Sequence, residues 1–482
     1  MLILCALSLT LAGGLALRHR NIEFDRDEGF TLIKAWLLGQ GHPLYSQIWS
    51  DQPPGMTVLL MMVIKIFGNS LLACRLFVGA FAALLVASFY ALVRRTTSAA
   101  AAFIAALLLL FSPDFVGLTA SVMIGLPAAA CAVLAAKLLV DYSRTRENKY
   151  FFLSLACFCL SLQMKLIPAI YLPGMLVPLL MGPRMDFRLK GGNIKSAMAW
   201  MALLILITIA TFLWFTGSDW RQLVGPHIGV HAFGETTPEL SNRITMKILI
   251  GFLPLAPLLI LSAPAWRRRQ DSYRLIPFIW FACAMFFLLF HKPILYLYGL
   301  NLAIPVAWLA ALALPQDLNL MPAIRAYAHG GRIRVLDLAL PLAALICIPL
   351  WTIARIPRMS TPPLPAPPDW SEPIEPQIMR MLSDRKAGPD DQIFTDRPMY
   401  AFMARIPMPP SLAVISGKRL NSGNLTGDFF MRKIREAFPR HVILSRLPPE
   451  RFSPAFPDFL IENYRLIYRS GPIRYYLRNR GS

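Results

Sequence analysis

Residues 71–93, LLACRLFVGAFAALLVASFYALV, form an apolar run in which Arg75 is the single charged residue. The hydrocarbon core of a bilayer is about 30 Å thick, and about 20 apolar residues in helical conformation cross it. Hydrophobic residues make up 56% of the 482-residue chain, and charged residues only 16%. The run therefore predicts a transmembrane helix, and the composition predicts that many such helices follow.

Ten further runs extend this pattern on both sides of 71–93. Five are long: 115–140, 196–216, 244–263, 294–314 and 336–354. Five are shorter and require neighbours to cover their ends: 1–17, 99–112, 150–165, 166–182 and 275–290. Backbone polar groups must be satisfied within each segment in lipid, which selects helices. The predicted fold is a polytopic α-helical membrane bundle of about 11 transmembrane helices, spanning 1–354.

The net charge of +21 raises the question of nucleic-acid binding, but its distribution argues for a membrane topology instead. Basic residues concentrate in short loops, namely Arg94-Arg95, Arg144 to Lys149, Arg184 to Lys195, Arg267 to Arg269 and Arg325 to Arg334. The positive-inside rule places these loops in the cytoplasm. The loops 18–70 and 217–243 and the carboxyl terminus are then external, and nucleic acid is not expected as a partner.

Two segments disturb this topology. The run 53–67 begins at Pro53-Pro54 and carries Lys65, and a crossing there would place a flanking loop on the wrong side. We interpret it as a juxtamembrane helix at the outer interface. The first helix is followed, not preceded, by basic residues, a pattern typical of the opposite orientation.

The composition changes after the last apolar run. Residues 355–378 are proline-rich and predict an extended linker. Residues 379–482 alternate the strand-like pieces QIFTD, HVILSR, YRLIY and IRYYL with a helical candidate at 427–438. Ser470-Gly471 between the last two strands indicates a hairpin. A small external α/β domain is therefore expected at this end.

The stretch DRDEGF, residues 25–30, places three carboxylates directly after the first apolar run. Asp25 and Glu28 have the spacing of a capping box before an amphipathic helix. That structural interpretation leaves Asp27 unexplained.

Several motifs around this stretch resemble a known family. Their order is Asp27-Glu28-Gly29, Gly41-x-Pro43-Leu44-Tyr45, Asp51-x-Pro53-Pro54, and Phe67-Gly68 with Arg75. This series is similar to the first external loop of polyprenyl-phosphate-dependent glycosyltransferases of the GT-C fold. The branch is that of protein O-mannosyltransferases and aminoarabinose lipid A transferases, glycosyltransferase families 39 and 83. Weaker similarities continue at Gln163-Met164-Lys165, at His291-Lys292-Pro293-x-x-Tyr296 and in the tail segment TDRPMYAFMARIPMPPSL.

The resemblance implies a function and a set of site residues. A bacterial-type inner-membrane enzyme would move a sugar from a polyprenyl-phosphate donor to an external lipid, glycan or protein acceptor. Asp27 would be the base, and Glu28 or Asp25 would orient it or the acceptor. The substrate-binding set would add Tyr45, Asp51, Tyr296 and the donor-phosphate ligands Arg75, Lys165, His291 and Lys292.

The predicted phosphate ligands also have an interpretation that involves no substrate. Charges beside apolar runs are functional candidates by default, but Lys165 and Lys292 also fit side chains that snorkel to lipid headgroups. Arg75 lies several residues inside its helix and fits that alternative less well. We predict that Arg75 and Lys165 converge on the donor phosphate.

The sequence predicts no cofactor, and metal dependence stays open. Many relatives carry an acidic residue where this chain reads SVMIGLPAAA, with no acid between Asp114 and Asp141. His227, His231 and Glu235 have helical spacing for zinc, but nearby glycines and a proline argue against a regular helix. The seven cysteines all fall in apolar runs and predict neither a disulfide nor a zinc site.

Two other classes of function compete with transfer. A transporter or flippase of polyprenyl-linked sugars would show internal repeats, and no convincing repeat is present. An assembly scaffold would leave DRDEGF unexplained.

Overall fold

The computed structural model describes residues 1–182, 191–217, 219–227, 237–263, 271–314, 372–385 and 391–479. The predicted helix 336–354, most of the linker 355–378, His231 and Glu235 lie outside these ranges. The described residues form a helical region up to 314 and a smaller α/β region from 372 onward.

The helical region contains fifteen described α-helices. They are α1 Leu2–Arg18, α2 Arg26–Gly39, α3 Gly55–Phe67, α4 Leu71–Val93, α5 Ala99–Leu110, α6 Pro113–Thr119, α7 Gly125–Thr145, α8 Asn148–Met164, α9 Leu172–Met181, α10 Gly191–Thr216, α11 Arg221–Val224, α12 Pro238–Phe252, α13 Ala256–Ser262, α14 Leu275–Phe290 and α15 Gly299–Ala313. Short 3-10 turns precede α9, α13, α14 and α15.

Six described helical segments are long and apolar enough to cross a membrane. They are Leu71–Val93, Gly125–Thr145, Asn193–Thr216, Pro238–Ser262, Ser272–Phe290 and Tyr296–Ala313. A seventh span results if α5 and α6, bent by 65°, are taken together. Three further apolar helices, Leu2–Arg18, Gly55–Phe67 and Ile167–Met181, are shorter. The described residues therefore confirm a polytopic helical membrane protein, whereas the predicted count of about 11 is not established by them.

Large apolar side chains are exposed along α10. Its side chains include Trp214, 86% exposed, and Leu206, 64% exposed. Large apolar surfaces of this kind mark a membrane or protein contact. By contrast, α4 and α7 pack against each other, and α1 packs on α4.

The predicted run 115–140 is wrong as a single helix. It breaks between Thr119, where α6 ends, and Gly125, where α7 begins. The break frees backbone donors, and the N–H of Val122 donates to the Oε1 of Glu28 at 2.9 Å. A carboxylate from the first loop thus satisfies a backbone group inside the bundle.

The α/β region has one sheet of four strands. The strands are β3 Ile393–Thr395, β4 His441–Leu444, β5 Tyr464–Ser470 and β6 Ile473–Arg478. Their order is β3-β4-β6-β5, with β3 parallel to β4 and the other pairs antiparallel. The described helices of this region are α16 Pro376–Asp384, α17 Met399–Ala404, α18 Gly417–Asn421, α19 Gly427–Ala437 and α20 Phe456–Asn463. All four predicted strands, the hairpin and the 427–438 helix are confirmed, but α16 begins inside the predicted linker.

The α/β region is joined to the first loop of the helical region. Strand β1 Ile22–Glu23 pairs antiparallel with β2 Glu372–Pro373. The Nε of Arg397 donates to the Oε2 of Glu23 at 2.5 Å, and both side chains are buried. A Cβ placed on Gly29 would lie 2.9 Å from the backbone nitrogen of Met399. Close backbone contact therefore holds α17 against α2, where the candidate site begins.

Candidate active site

Helix α2 begins where the three carboxylates lie. Asp25 is its N-cap, and its Oδ1 accepts from the N–H of Asp27 at 2.8 Å. Its Oδ2 accepts from the hydroxyl of Tyr296 at 3.0 Å. Glu28 does not complete the predicted capping box, because its Oε2 accepts from the N–H of Phe24 at 3.2 Å. The cap at Asp25 is thus confirmed, and the reciprocal half of the box is wrong.

Asp27 is the most exposed of the three carboxylates, since Asp25 is partly buried and Glu28 fully buried. We call the surface between Asp27, Asp51 and Lys165 the cleft, and the protein around it partly desolvates the carboxyl group of Asp27. This desolvation, and next the charge of Asp51, raise the pKa of Asp27 above its ordinary value. The charges of Lys165, Lys418 and Lys34 act in the opposite direction and lower this pKa.

Glu28 and Arg75 lie one layer behind Asp27. The Nε and Nη2 of Arg75 each donate to a different oxygen of Glu28, both at 2.8 Å. The remaining donors of Arg75 reach the carbonyl oxygens of His19 at 2.9 Å and Ile22 at 2.6 Å. Both side chains are at most 1% exposed. This arrangement does not favour the predicted contact of Arg75 with a phosphate, nor a direct role for Glu28.

A second charged group comes from three separate parts of the chain. The Nε2 of His227 lies 3.0 Å from the carbonyl oxygen of Asp51 and 3.7 Å from its Oδ2. The Nζ of Lys418, in α18, lies 3.3 Å from the Nδ1 of His227 and 3.9 Å from the Oδ2 of Asp51. The charges of Lys418, Lys34 and His227 hold the pKa of Asp51 below its usual value, although burial acts in the opposite direction. The α/β region therefore supplies a cation to the cleft.

Lys34 is another of the lysines whose charges act on Asp27 and Asp51. It is buried on α2, and its Nζ donates to the hydroxyl of Ser50 at 3.3 Å. Burial lowers the pKa of Lys34, while the charges of Asp51 and Asp27 raise it. Asp27 and Lys34 are two helical turns apart and therefore share a face of α2.

Lys165 lies in the turn after α8 and is partly buried. Its Nζ is 5.1 Å from the ring centroid of Tyr298, a cation–π contact. Burial lowers the pKa of Lys165 to about 8, and the charge of Asp27 opposes the decrease. A Cβ on Gly55 would lie 2.7 Å from the carbonyl oxygen of Gln163, so α3 packs directly on the backbone that leads into Lys165.

The other predicted residues surround this centre. His291 stacks on Phe287 with ring centroids 4.6 Å apart, and its partly buried neighbour Lys292 lies in the same turn. Burial, then Lys418, His227 and Lys165, lower the pKa of His291. Tyr45 is buried and donates to the carbonyl oxygen of Gln52 at 2.8 Å. Tyr45 therefore supports the loop that carries Asp51.

The sequence reasoning missed three members of the cleft. Lys34 could have been found from its seven-residue spacing to Asp27. His227 stands out in the sequence as a possible zinc ligand, and His231 and Glu235, the other members of that set, lie outside the described residues. Lys418 belongs to a different region of the chain and had no local signal. Among the described residues, no group of three or more potential metal ligands is present.

Three solved structures resemble the chain over nearly its whole length. ArnT from Cupriavidus metallidurans in the apo state has a TM-score of 0.64 at 14% identity, covering 98% of this chain and 97% of that one. ArnT from the same organism bound to undecaprenyl phosphate has a TM-score of 0.57 at 14% identity, with coverage of 100% and 98%. The archaeal oligosaccharyltransferase AglB from Archaeoglobus fulgidus, in complex with an inhibitory peptide and a dolichol-phosphate, has a TM-score of 0.60 at 13% identity, with coverage of 99% and 74%.

These likenesses give the chain the GT-C fold of membrane-embedded glycosyltransferases. Within that class, residues 51–215 match the model of the family described as dolichyl-phosphate-mannose-protein mannosyltransferase. The predicted resemblance is thereby confirmed. No curated protein sequence matches the chain, and neither the fold nor the family match supports the transporter alternative.

Proposed function

We propose that the chain is an integral-membrane glycosyltransferase that moves a sugar from a polyprenyl-phosphate donor to a lipid, glycan or protein acceptor. The observation that supports this most directly is the charge arrangement of the cleft. Asp27 is exposed in it, and its pKa responds to Lys165, Lys418 and Lys34. Such a transfer needs a carboxylate to take the proton of the acceptor, and it needs cations to stabilise the departing phosphate.

Asp27 acts as the general base in this proposal. The acceptor oxygen or nitrogen attacks the anomeric carbon of the sugar, and its proton passes to the carboxylate of Asp27. A carboxylate with a raised pKa is a stronger base than an ordinary aspartate. The acceptor side of the cleft lies toward Asp51 and His227, next to the loop 217–243.

Lys165 acts on the departing phosphate. The bond between the anomeric carbon and the phosphate oxygen breaks, and polyprenyl phosphate leaves with additional negative charge. A protonated amine held in a partly desolvated turn stabilises that charge more strongly than it would in water. His291 and Lys292 extend the same positive side of the cleft.

Glu28 and Arg75 act as positioning residues. Their buried pair joins the first turn of α2 to α4 and, through Val122, to the break before α7. Asp27 immediately precedes Glu28, so the pair fixes the backbone that presents the base. In this proposal Lys165, His291 and Lys292 contact the donor phosphate, and Arg75 does not.

The donor class has support from the similar structures. One ArnT structure is bound to undecaprenyl phosphate, and the AglB structure contains a dolichol-phosphate. We extend that donor chemistry to this chain. We also propose that the cleft and the α/β region face the outside of a bacterial-type inner membrane, with the basic loops inside.

Binding of undecaprenyl phosphate to the purified protein tests the donor half of this proposal. We expect the lipid to bind, and undecaprenol, which lacks the phosphate, to bind at least tenfold more weakly. The substitution Lys165→Gln should remove most of the difference between the two lipids. The control Lys65→Gln, at an exposed lysine of α3, should preserve it. Equal affinity for both lipids in the wild-type protein would exclude a phosphate site in this cleft.

A further inference from the structure

A cavity of about 430 Å³ opens on the α/β region away from the residues of the cleft. Its lining is dominated by one type of side chain, with four arginines beside a leucine and an asparagine: Arg385, Arg440, Arg465, Arg478, Leu477 and Asn479. None of these residues has a part in the proposed transfer reaction. The cavity is therefore a separate feature that needs its own explanation.

The sheet brings these arginines together from distant positions. Arg465 on β5 lies opposite Leu477 on β6, and Leu477 lies opposite His441 on β4. The carbonyl oxygen of Arg440, just before β4, accepts from the N–H of Arg478 at 3.0 Å. The fourth arginine, Arg385, follows the last residue of α16. Ladder hydrogen bonds thus hold the backbone of three of the four cations in fixed register.

Among the described residues that line the cavity, positive side chains outnumber negative ones. Within the part of the chain that the structure describes, Arg440 has a carboxylate partner, Asp391 at 2.6 Å, and the other three arginines have none. Arg478 donates to the carbonyl oxygen of Phe438 at 2.7 Å, which orients the guanidinium without neutralising it. Like charges held together in this way repel one another unless an anion lies between them.

His441 lies close to the same group of arginines. It is fully buried behind the cavity, and the hydroxyl of Tyr475 lies 2.8 Å from its Nδ1. Burial lowers the pKa of His441 to about 4, the charges of Arg440, Arg385 and Arg478 act in the same direction, and the charge of Asp391 opposes them. The neutral imidazole is the form that tolerates this surrounding charge.

We propose that this cavity binds a phosphate group of a soluble anion or a lipid headgroup. Guanidinium groups are planar and donate in pairs to phosphate oxygens. Among the described residues, three of these guanidiniums have no carboxylate partner, and together they suit a dianionic phosphate monoester better than a single carboxylate. The volume falls within the range of small-molecule sites, so the group attached to the phosphate also fits. The inference does not depend on the proposed transferase activity.

Two short-chain probes and inorganic phosphate test this assignment on the full-length protein in detergent. The probes are dihexanoyl phosphatidic acid, a phosphate monoester, and dihexanoyl phosphatidylcholine. All variants carry Lys165→Gln, so that phosphate binding in the cleft does not contribute. We expect binding of inorganic phosphate, of phosphatidic acid or of both by titration calorimetry, and none of phosphatidylcholine. Binding of inorganic phosphate would indicate a soluble ligand, and binding of phosphatidic acid alone a lipid headgroup.

The variants Arg465→Gln and Arg385→Gln should weaken that binding at least tenfold. Arg469→Gln is a matched control, since it removes the same charge from an exposed position farther along the same hairpin. An equal loss in the Arg469→Gln variant would show a diffuse charge effect and overturn the site. Failure of both inorganic phosphate and phosphatidic acid to bind the parent protein would also overturn it. Neither result would affect the binding of undecaprenyl phosphate by the protein that retains Lys165.

Discussion

Arg75 on α4 donates two hydrogen bonds of 2.8 Å to the carboxylate of Glu28 on α2, and neither side chain is more than 1% exposed. Burying two charges is costly, and removal of one partner leaves the other without compensation. The pair lies directly behind Asp27. Its geometry therefore controls where the proposed base points, although neither residue faces the cleft.

Replacement of Arg75 should damage the fold rather than donor binding alone. We expect Arg75→Ala to lower the free energy of unfolding by about 3–5 kcal/mol, because Glu28 is left buried and unpaired. Arg75→Lys should be intermediate, since an ammonium group does not reproduce the bidentate contact. Thermal denaturation followed by tryptophan fluorescence measures the change. Arg94→Ala, at an exposed residue at the end of the same helix, is the control. An unchanged melting temperature with weaker donor binding would restore Arg75 to the phosphate site.

The rate of transfer should depend on pH through two groups of opposite sign. Asp27 must be deprotonated, so kcat/KM should rise with pH through a pKa above the ordinary aspartate range. Lys165 must be protonated, so kcat/KM should fall as the pH rises through about 8. Arginine stays charged throughout this range. In Lys165→Arg the alkaline decrease should therefore disappear, and its persistence would assign it to another group.

Lys418 should influence the acidic side of the same profile. Its charge opposes the rise in the pKa of Asp27, so Lys418→Gln should move the acidic limb to higher pH. Lys433→Gln provides a control, because Lys433 lies on α19 and pairs with Glu436 at 2.6 Å. An acidic limb that does not move in Lys418→Gln would separate the α/β region from the chemistry of Asp27.

The orientation in the membrane is testable with single cysteines in a variant lacking the seven native ones. An impermeant thiol reagent should label Asn69→Cys, between α3 and α4, from outside the cell. Thr97→Cys, between α4 and α5, should react only after the membrane is permeabilised. The reverse pattern would mean that α3 crosses the membrane, and the first external loop would then need to be redrawn.

The sequence predicted local features well because their causes are local. The bounds of 71–93 match those of α4, since an apolar run ends where Arg94 begins the basic loop. The cap at Asp25 and the hairpin at Ser470-Gly471 also depend on neighbouring residues alone. The helix break after Thr119 includes a distant contact, the hydrogen bond from the N–H of Val122 to the carboxylate of Glu28, and no periodicity in the run 115–140 reveals it.

The same distinction between local and distant contacts applies to the residues of the candidate site. Asp27, Asp51 and Lys165 were predicted from motifs, and their charges interact in the folded chain. The sequence did not reveal the contact of Arg75 with Glu28, because an isolated arginine in an apolar run looks the same whether it pairs with a ligand or with a buried glutamate. Lys418 is separated from Asp51 by most of the chain. Only the packing of α18 on the first loop reveals that the two meet.

The central claim is that Asp27 is the base of a sugar transfer, and one comparison by mass spectrometry tests it most directly. Lipid, glycan and protein fractions are taken from a strain lacking the gene and from the same strain complemented with wild type, Asp27→Asn or Asp428→Asn. Asp428 is an exposed carboxylate on α19 and serves as the control. All three proteins must reach the membrane in equal amounts.

We predict that one sugar disappears from one fraction when the gene is absent, and that wild type and Asp428→Asn restore it. Asp27→Asn should fail to restore it, because loss of a general base slows such a step about 10²–10⁴-fold. Full restoration by Asp27→Asn at equal abundance would contradict the assignment of the base. An unchanged sugar content in every fraction of the deletion strain would contradict the transferase itself.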